Sequence, residues 1–186
     1  MLVKGEDLAK LKTQRGGVIP YIVVNQSIFF LVGKYANYNK DELTDFGGRR
    51  EQYDESALHT SLREFKEETI SMFNEEYYTV EILSKCVALY DKNYIKGKYD
   101  ANGMCIIFLP VSMEWFRNAV ENFETSKKKA TKDCEKEISG LMWISMKQLE
   151  TQIQNTETKL WKKVQYFLKE NFKEDINDIL MTQFDK

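Results

Sequence analysis

Three glutamates within residues 63–69 are the side chains of this sequence whose type and spacing best suit chemistry. On a helix, residues three and four positions apart share a face, so Glu64, Glu67 and Glu68 would lie within an arc of roughly 100°. Like charges at this spacing destabilise a helix by about 0.2–0.5 kcal/mol per pair. A divalent cation would remove that repulsion, and carboxylate oxygens are ligands that Mg²⁺ and Mn²⁺ prefer. The pattern alone is consistent with a metal site or with a solvated acidic helix face.

A metal ion bound by these carboxylates would have a clear chemical use. It would polarise a phosphoryl oxygen and lower the pKa of a bound water, so that a nucleophile is present near neutral pH. The opposite side of the predicted helix carries Leu58, Leu62, Phe65 and Thr69. We expect that side to pack against the core while the carboxylates face a ligand.

The residues upstream of the glutamates supply a loop and a helix start. Gly47 and Gly48 follow a short apolar stretch, and glycines allow the backbone to approach a ligand closely. Asp54 or Ser56 is suited to cap the N-terminus of the helix that follows. The sequence therefore predicts a glycine loop directly before the acidic helix.

Residues 48–71 resemble the Nudix box, a sequence pattern that begins with a glycine, five residues, a glutamate and seven residues. The pattern continues Arg-Glu-hydrophobic-x-Glu-Glu-x-Gly-hydrophobic. Gly48 matches the first glycine, Glu55 matches the first glutamate, and residues 63–68 read Arg-Glu-Phe-Lys-Glu-Glu. The resemblance identifies the chain as similar to Nudix hydrolases.

Two positions depart from that pattern. Six residues, not five, separate Gly48 from Glu55, which places one extra residue in the loop 49–54. Ile70 occupies the position of the later glycine of the pattern. A glycine at that position would end the helix in a left-handed conformation. Without that glycine, we expect the helix to continue toward Met72 or Asn74.

The resemblance also implies roles for individual residues. The family's metal-binding glutamates correspond to Glu64, Glu67 and Glu68, and Glu64 is the default candidate for the general base. Arg63 would orient these carboxylates through charge-assisted hydrogen bonds, and Glu55 would pair with Arg63. The catalytic set predicted in this way is Glu64, Arg63 and Glu55.

Further binding residues follow from the same resemblance. Gly47, Gly48 and Arg49 would lie near the phosphates of the substrate. In many Nudix enzymes a glutamate from a later loop completes the metal site or acts as the base, and Glu137 is the candidate here. A plain surface carboxylate is the alternative interpretation of Glu137.

The order of predicted elements is that of the Nudix fold, an α/β/α sandwich around a mixed β-sheet. We expect one domain over residues 1–186, with a core at about 17–150 and a C-terminal helix at about 156–172. The apolar runs predict a hairpin, a later pair of strands, a helix, a closing strand and a final helix. The hairpin covers 18–24 and 27–32, and the later strands cover 77–90 and 103–111. The helix covers 113–125, the closing strand 138–145 and the final helix 159–172.

Composition limits the class of protein. The chain has 186 residues, of which 42% are apolar and 13% aromatic, and a formal net charge of −2. A nearly neutral chain lacks the broad basic field that captures nucleic acid, but its net charge does not exclude a local basic patch. Neither a signal peptide nor a membrane span is recognisable, so we expect a cytoplasmic protein without membrane partners. Cys86 and Cys105 are expected in the core.

The resemblance implies Mg²⁺- or Mn²⁺-dependent hydrolysis of a diphosphate linkage in a nucleoside diphosphate attached to a group X. Capped RNA is one candidate substrate. It is suggested by tyrosines on predicted loops (Tyr35, Tyr38, Tyr94 and Tyr99), by the lysine run 127–132, and by a likeness of residues 47–51 and 63–69 to Nudix proteins of large DNA viruses. Free nucleotides, dinucleotides and diphosphoinositols are comparable candidates. A binding module that retains the fold without turnover is the second functional class.

Overall fold

A mixed β-sheet forms the middle layer of the protein in the computed structural model. The structure describes residues 1–36, 42–72, 79–94, 103–131, 136–173 and 175–184. Within these residues the strands are β1 (Leu2–Lys4), β2 (Arg15–Val24), β3 (Ser27–Tyr35), β4 (Leu43–Thr44), β5 (Phe46–Arg49), β6 (Val87–Asp91), β7 (Met104–Pro110) and β8 (Ile138–Ser145). The helices are α1 (Gly5–Leu8), α2 (Ala57–Glu68), α3 (Val80–Lys85), α4 (Met113–Lys127), α5 (Met146–Gln154), α6 (Lys162–Asn171) and α7 (Ile176–Phe184).

The strands run in the order β1-β6-β7-β2-β3-β4, with β5 paired to β2 and β8 paired to β3. β2 and β7 are parallel, whereas the other described pairs are antiparallel. The turn between β2 and β3 consists of Asn25 and Gln26, whose φ angles of 49° and 61° suit a tight hairpin. The predicted hairpin is therefore confirmed.

Apolar side chains cover both faces of the sheet. On one face, β-strand residues pack with α2 through Phe65 and with α4 through Trp115, Ala119 and Phe123. On the other face, side chains of α5, α6 and α7 form a second cluster with the strands. The predicted sandwich of helices around a mixed sheet is confirmed, as are the strand at 138–145 and the helix that includes residues 113–125.

Some element boundaries differ from the sequence expectation. Residues 80–85 form α3 instead of continuing a strand, because the side chain of Thr79 caps the helix by accepting a hydrogen bond from the amide of Ile82. The C-terminal helix begins at Lys162, since residues 159–161 are held against β4 by backbone hydrogen bonds. A further helix, α7, follows it.

Helix α2 ends at Glu68 and does not continue toward Met72 as expected. Ile70 and Ser71 adopt left-handed φ angles of 56° and 55°. Their amides donate to the carbonyls of Glu67 at 3.1 Å and Lys66 at 2.7 Å, respectively. This is the hydrogen-bond pattern of a Schellman motif, which normally places glycine where Ile70 lies. The helix therefore ends where the family pattern ends it, despite the unfavourable backbone conformation of a β-branched residue.

Glycines allow α2 to lie unusually close to β2 and β5, which pair through Gly16 with Gly48 and Gly17 with Gly47. A Cβ atom at Gly16 would lie 2.5 Å from the Oγ atom of Ser61 in α2. A Cβ atom at Gly48 would overlap the carboxylate of Glu64. The Gly16–Gly48 pair thus sets the distance between the acidic helix and the sheet.

No helix of the described chain has both the length and the apolar character needed to cross a membrane.

The glycine contact predicts the effect of adding one methyl group. In Gly47→Ala, the new Cβ would lie 2.5 Å from the Cα of Gly17 and 2.6 Å from the carbonyl oxygen of Gly16. Because backbone cannot move aside as a side chain can, we expect a loss of about 1–3 kcal/mol in unfolding free energy. Gly140→Ala is the matched control, since its nearest contacts would be side-chain atoms at 3.7 Å. Equal urea midpoints for the two variants would contradict this packing.

Candidate functional site

Arg63 is the centre of an ion-pair network at the start of the candidate site. Its Nη2 atom lies 3.0 Å from Oδ2 of Asp54 and 2.8 Å from Oε1 of Glu64, and it donates to the carbonyl of Arg49 at 2.8 Å. Its Nη1 atom lies 3.3 Å from Oε2 of Glu67. Burial lowers the pKa of Arg63, but hydrogen bonding to Asp54 and the charge of Glu64 outweigh burial and raise it above its usual value. Arg63 is therefore a permanent cation that fixes two of the predicted metal ligands.

The partner predicted for Arg63 is corrected by these contacts. Glu55 is exposed, and the carboxylates that approach Arg63 from the preceding loop are that of Asp54, at 3.0 Å, and that of the exposed Glu51, at 4.0 Å. The side chain of Asp54 is fully buried and also accepts a hydrogen bond from the amide of Glu51. Five residues separate Gly48 from Asp54, as the Nudix pattern requires. The extra residue therefore lies after the paired carboxylate and not in the loop before it.

Glu68 is the buried member of the acidic group. Only 4% of the residue is exposed, and its Oε2 atom has no hydrogen-bond partner. Burial, together with the charges of Asp45, Glu64 and Glu137, raises the pKa of Glu68 well above its usual range, against the opposing charge of Arg15. A buried carboxylate oxygen without a partner is rare and costly, and it calls for a ligand or a proton.

Glu64 lies between Arg63 and the glycine strand. Its carboxylate is against Gly48, and its side chain is 15% exposed. Burial raises the pKa of Glu64, and Arg63 partly offsets this effect. Glu64 thus keeps a carboxylate that is hydrogen-bonded on one side and close to the acidic neighbour Glu68.

Glu137 approaches the same group from the start of β8. Its carbonyl accepts a hydrogen bond from the amide of Ala36 at 2.7 Å, which holds the segment beside β3. Partial burial and the charge of Glu67 raise the pKa of Glu137. Three predicted ligands, Glu64, Glu67 and Glu68, and the more distant candidate Glu137 are therefore electrostatic neighbours.

The acidic side chains are close together without forming a finished coordination shell. Within the part of the chain that the structure describes, no three His, Cys, Asp or Glu side chains already have the arrangement of a metal site. Arg63 contacts both Glu64 and Glu67, so these two carboxylates face the guanidinium. The feature that fits a cation is the unpartnered oxygen of Glu68, because oxygen donors of this kind are what Mg²⁺ and Mn²⁺ take.

Sequence reasoning missed a buried ion pair at the other side of Glu68. Arg15 donates to Asp45 through both terminal nitrogens, at 2.8 and 2.6 Å, and to the carbonyl of Gly47 at 3.1 Å. The Asp45 side chain has no exposed surface. Arg15 directly precedes the pair Gly16-Gly17, and Asp45 is separated by one residue from the pair Gly47-Gly48. A charged residue beside each Gly-Gly pair was the available signal.

A cavity of about 320 Å³ opens beside the acidic group. It is bounded by the predicted substrate-binding residues and by side chains that were not assigned to the site. The lining residues are Gln14, Arg15, Tyr35, Gly47, Gly48, Arg49, Tyr94, Gly103, Met104, Glu137, Trp161 and Lys163. Tyr35 and Tyr94 therefore reach the cavity, whereas Tyr38, Tyr99 and Lys132 lie outside the described residues.

Comparison with known structures identifies the fold. A MutT/nudix family protein of Enterococcus faecalis matches with a TM-score of 0.54 and 9% identity, over 94% of this chain and 68% of that one. A mutT/nudix family protein of Listeria innocua matches with a TM-score of 0.51 and 16% identity, over 92% of this chain and 98% of that one. No protein-family model and no curated protein matches the sequence. At these identities the likeness concerns the fold, and the chain has the Nudix fold.

The corrected ion pair predicts different consequences for two adjacent carboxylates. Asp54→Asn should lower the unfolding free energy by about 1.5–3 kcal/mol, because Arg63 loses a buried charged partner. Glu55→Gln should change it by less than about 0.5 kcal/mol, since that side chain is exposed. Urea unfolding of both variants measures the difference. A larger loss for Glu55→Gln would restore Glu55 as the partner.

The raised pKa of Glu68 predicts a pH-dependent stability without divalent cations. A carboxyl group with a higher pKa in the folded than in the unfolded state makes the unfolding free energy fall as pH rises between the two pKa values. Glu68→Gln removes this titration, so the variant should gain stability relative to wild type as pH rises above about 4, the usual pKa of a glutamate. Urea unfolding in EDTA measures this gain, with Glu121→Gln on the exposed side of α4 as the control. A stability difference that does not vary with pH would contradict the assignment.

Proposed function

We propose that the protein is a Mg²⁺-dependent pyrophosphohydrolase that cleaves a diphosphate linkage in a nucleoside diphosphate joined to a further group X, with Mn²⁺ as an alternative metal. The observation that carries this proposal is the unpartnered Oε2 atom of buried Glu68, which interacts electrostatically with Glu137, a residue that lines a cavity. The Nudix fold and the sequence pattern at 48–71 support it. Each of the glutamates that the pattern requires in the helix is present.

Four carboxylates would hold the metal: Glu64, Glu67, Glu68 and Glu137. Mg²⁺ is normally bound by one or more carboxylates together with waters and substrate phosphates, so an incomplete protein shell suits a site that the substrate completes. The metal would supply charge neutralisation on the diphosphate and a lowered pKa for the attacking water. Its binding would also compensate the burial of Glu68, whose pKa is raised in the structure without metal.

The remaining chemistry belongs to the side chains. Glu64 would accept the proton of the attacking water, which is the role of a general base. Arg63 would hold Glu64 in position through the 2.8 Å contact. Asp54, in the place first assigned to Glu55, would in turn fix Arg63.

The substrate phosphates would lie at the glycine strand. Gly47, Gly48 and Arg49 line the cavity, and the carboxylate of Glu64 fills the space that a side chain at Gly48 would take. The guanidinium of Arg15 lies at the same wall, which favours an anionic ligand there. The diphosphate would then lie in the cavity, at the wall that these residues form and near Glu137.

Capped RNA, free nucleotides, dinucleotides and diphosphoinositols all contain the linkage that this chemistry cleaves. A panel of these compounds with Mg²⁺ and with Mn²⁺ distinguishes them, because each releases a different product. If capped RNA stays intact while free nucleotides are hydrolysed, decapping is excluded.

The decisive test of catalysis is a single substitution. Glu68→Gln should lower kcat with Mg²⁺ by at least about 100-fold, because a neutral amide binds the cation poorly and the metal acts in the transition state. Glu121→Gln should retain the wild-type rate. Steady-state hydrolysis of the best substrate in the panel measures both.

If the protein is a binding module that retains the fold without turnover, we expect the opposite result for hydrolysis. It would show ligand binding by the wild type but no hydrolysis of any panel member with either metal. Equal rates for wild type and Glu68→Gln would likewise refute metal catalysis at this site.

A further inference from the structure

The cavity beside the acidic group is completed by the C-terminal part of the chain. The amide of Leu43 in β4 donates to the carbonyl of Lys159 at 2.6 Å, and the amide of Trp161 donates to the carbonyl of Leu43 at 2.7 Å. Residues 159–161 are thereby held at the sheet edge, and α6 begins directly after them. Trp161 and Lys163 consequently line the same cavity as the glycine strand.

Aromatic side chains form one part of this cavity. Trp161 is partly exposed, so its ring offers surface to a ligand. Tyr94 is fixed by its hydroxyl, which donates to the carbonyl of Lys163 at 3.1 Å. An edge-to-face contact with Phe167, with 5.2 Å between the ring centroids, also holds it. Burial raises the pKa of Tyr94 to about 12, so the phenol stays neutral. A flat aromatic ligand could stack here, as nucleobases do on aromatic residues.

Cations already lie against the tryptophan ring. The Cζ atom of Arg15 lies 5.2 Å and the Nζ atom of Lys163 lies 5.5 Å from the ring centroid of Trp161. Both distances are within the range of cation–π attraction. A positively charged base stacked on this ring would compete for the same π surface and would be repelled by both side chains.

The charges of the cavity lining also favour a neutral base. Among the described lining residues, three are cationic, namely Arg15, Arg49 and Lys163, and Glu137 alone is a carboxylate. Glu137 is assigned to the metal in the proposed function, so it would not serve as the counter-ion of a base. The lining therefore suits a neutral base attached to negatively charged phosphates.

The size of the cavity limits what it can enclose. A volume of about 320 Å³ lies at the lower end of the range for small-molecule sites, which is about 300–1,000 Å³. One nucleoside with its first phosphate fits such a volume better than two nucleosides do. The group X would then extend outward from the cavity.

We propose that Trp161 is the nucleobase-binding wall of this cavity and that the site selects an uncharged nucleobase over a positively charged, N-methylated one. The inference rests on the proposed function for its substrate class, and it names which end of the substrate is enclosed. It makes Trp161 and Lys163, far along the sequence from the acidic helix, determinants of substrate choice.

The selectivity is tested by calorimetric titration of the wild-type protein in Mg²⁺, which keeps Glu137 engaged, with GMP and with 7-methyl-GMP. These two probes differ by one methyl group and one positive charge on the base. We expect GMP to bind at least about tenfold more tightly, a difference of about 1.4 kcal/mol. Equal or tighter binding of 7-methyl-GMP would overturn the inference.

The role of Trp161 is tested by fluorescence and by substitution. Trp115 and Trp143 contact each other in a separate aromatic cluster with ring centroids 5.9 Å apart, so they report little on the cavity. GMP should change the tryptophan fluorescence of wild type and of Trp143→Phe but not that of Trp161→Phe. Trp161→Leu should weaken GMP binding by about tenfold or more, in line with the value of one stacked base. A full fluorescence response in Trp161→Phe, or unchanged affinity in Trp161→Leu, would refute the assignment.

Failure of this inference is separable from failure of the proposed function. GMP contains no diphosphate linkage, so its binding does not require hydrolysis, and a GMP response at Trp161 with no turnover of the substrate panel in Mg²⁺ would support the subsite and refute the catalytic function. Mg²⁺-dependent hydrolysis with the same KM for wild type and Trp161→Leu would support the catalytic function and refute the subsite.

Discussion

The close contact between α2 and the paired glycines of β2 and β5 is the constraint on which the site depends. Gly16 admits Ser61, and Gly48 admits the carboxylate of Glu64. The helix therefore presents Glu64 and Glu68 to the sheet, while the side chain of Glu67 is 36% exposed. Burial raises the pKa of both Glu64 and Glu68, which links a packing property of the glycines to the chemistry proposed for the carboxylates.

Two arginines balance this concentration of negative charge from opposite sides. Arg63 contacts Glu64 and Glu67 at the exposed side, while Arg15 lies near Glu68 at the buried side. Each arginine is itself fixed by a buried aspartate, Asp54 or Asp45. Because a buried charge without a partner is strongly destabilising, these pairs hold both cations in place before any ligand arrives. Only Glu68 keeps a buried oxygen without a hydrogen bond among the acidic residues described here.

Periodicity in the sequence predicted much of the fold, because apolar spacing directly reflects which face of an element is buried. The hairpin, the strand at 138–145 and the acidic helix are where the spacing placed them. The pattern failed at the end of α2 and at the partner of Arg63. Ile70 is held in a left-handed conformation by the Schellman hydrogen bonds, and Asp54 takes the place given to Glu55 because it lies on the buried side of the loop. Apolar spacing carries no information on either hydrogen-bonding arrangement.

Contacts between residues distant in sequence explain which parts of the site the sequence did not reveal. The acidic residues of α2 are close together in sequence, so their spacing alone indicated a cluster. Arg15, Trp161 and Lys163 meet at the cavity only because β2 and the segment before α6 are brought together by the sheet. Single-sequence patterns carry no direct information on such long-range contacts.

Crystals soaked in Mn²⁺ test the central claim most directly, because the anomalous scattering of manganese locates the ion without reference to activity. We expect an anomalous peak about 2 Å from the Oε2 atom of Glu68, with Glu64 or Glu137 as a further ligand. A manganese ion bound elsewhere, or no peak at Glu68 in crystals that also contain a diphosphate ligand, would contradict it.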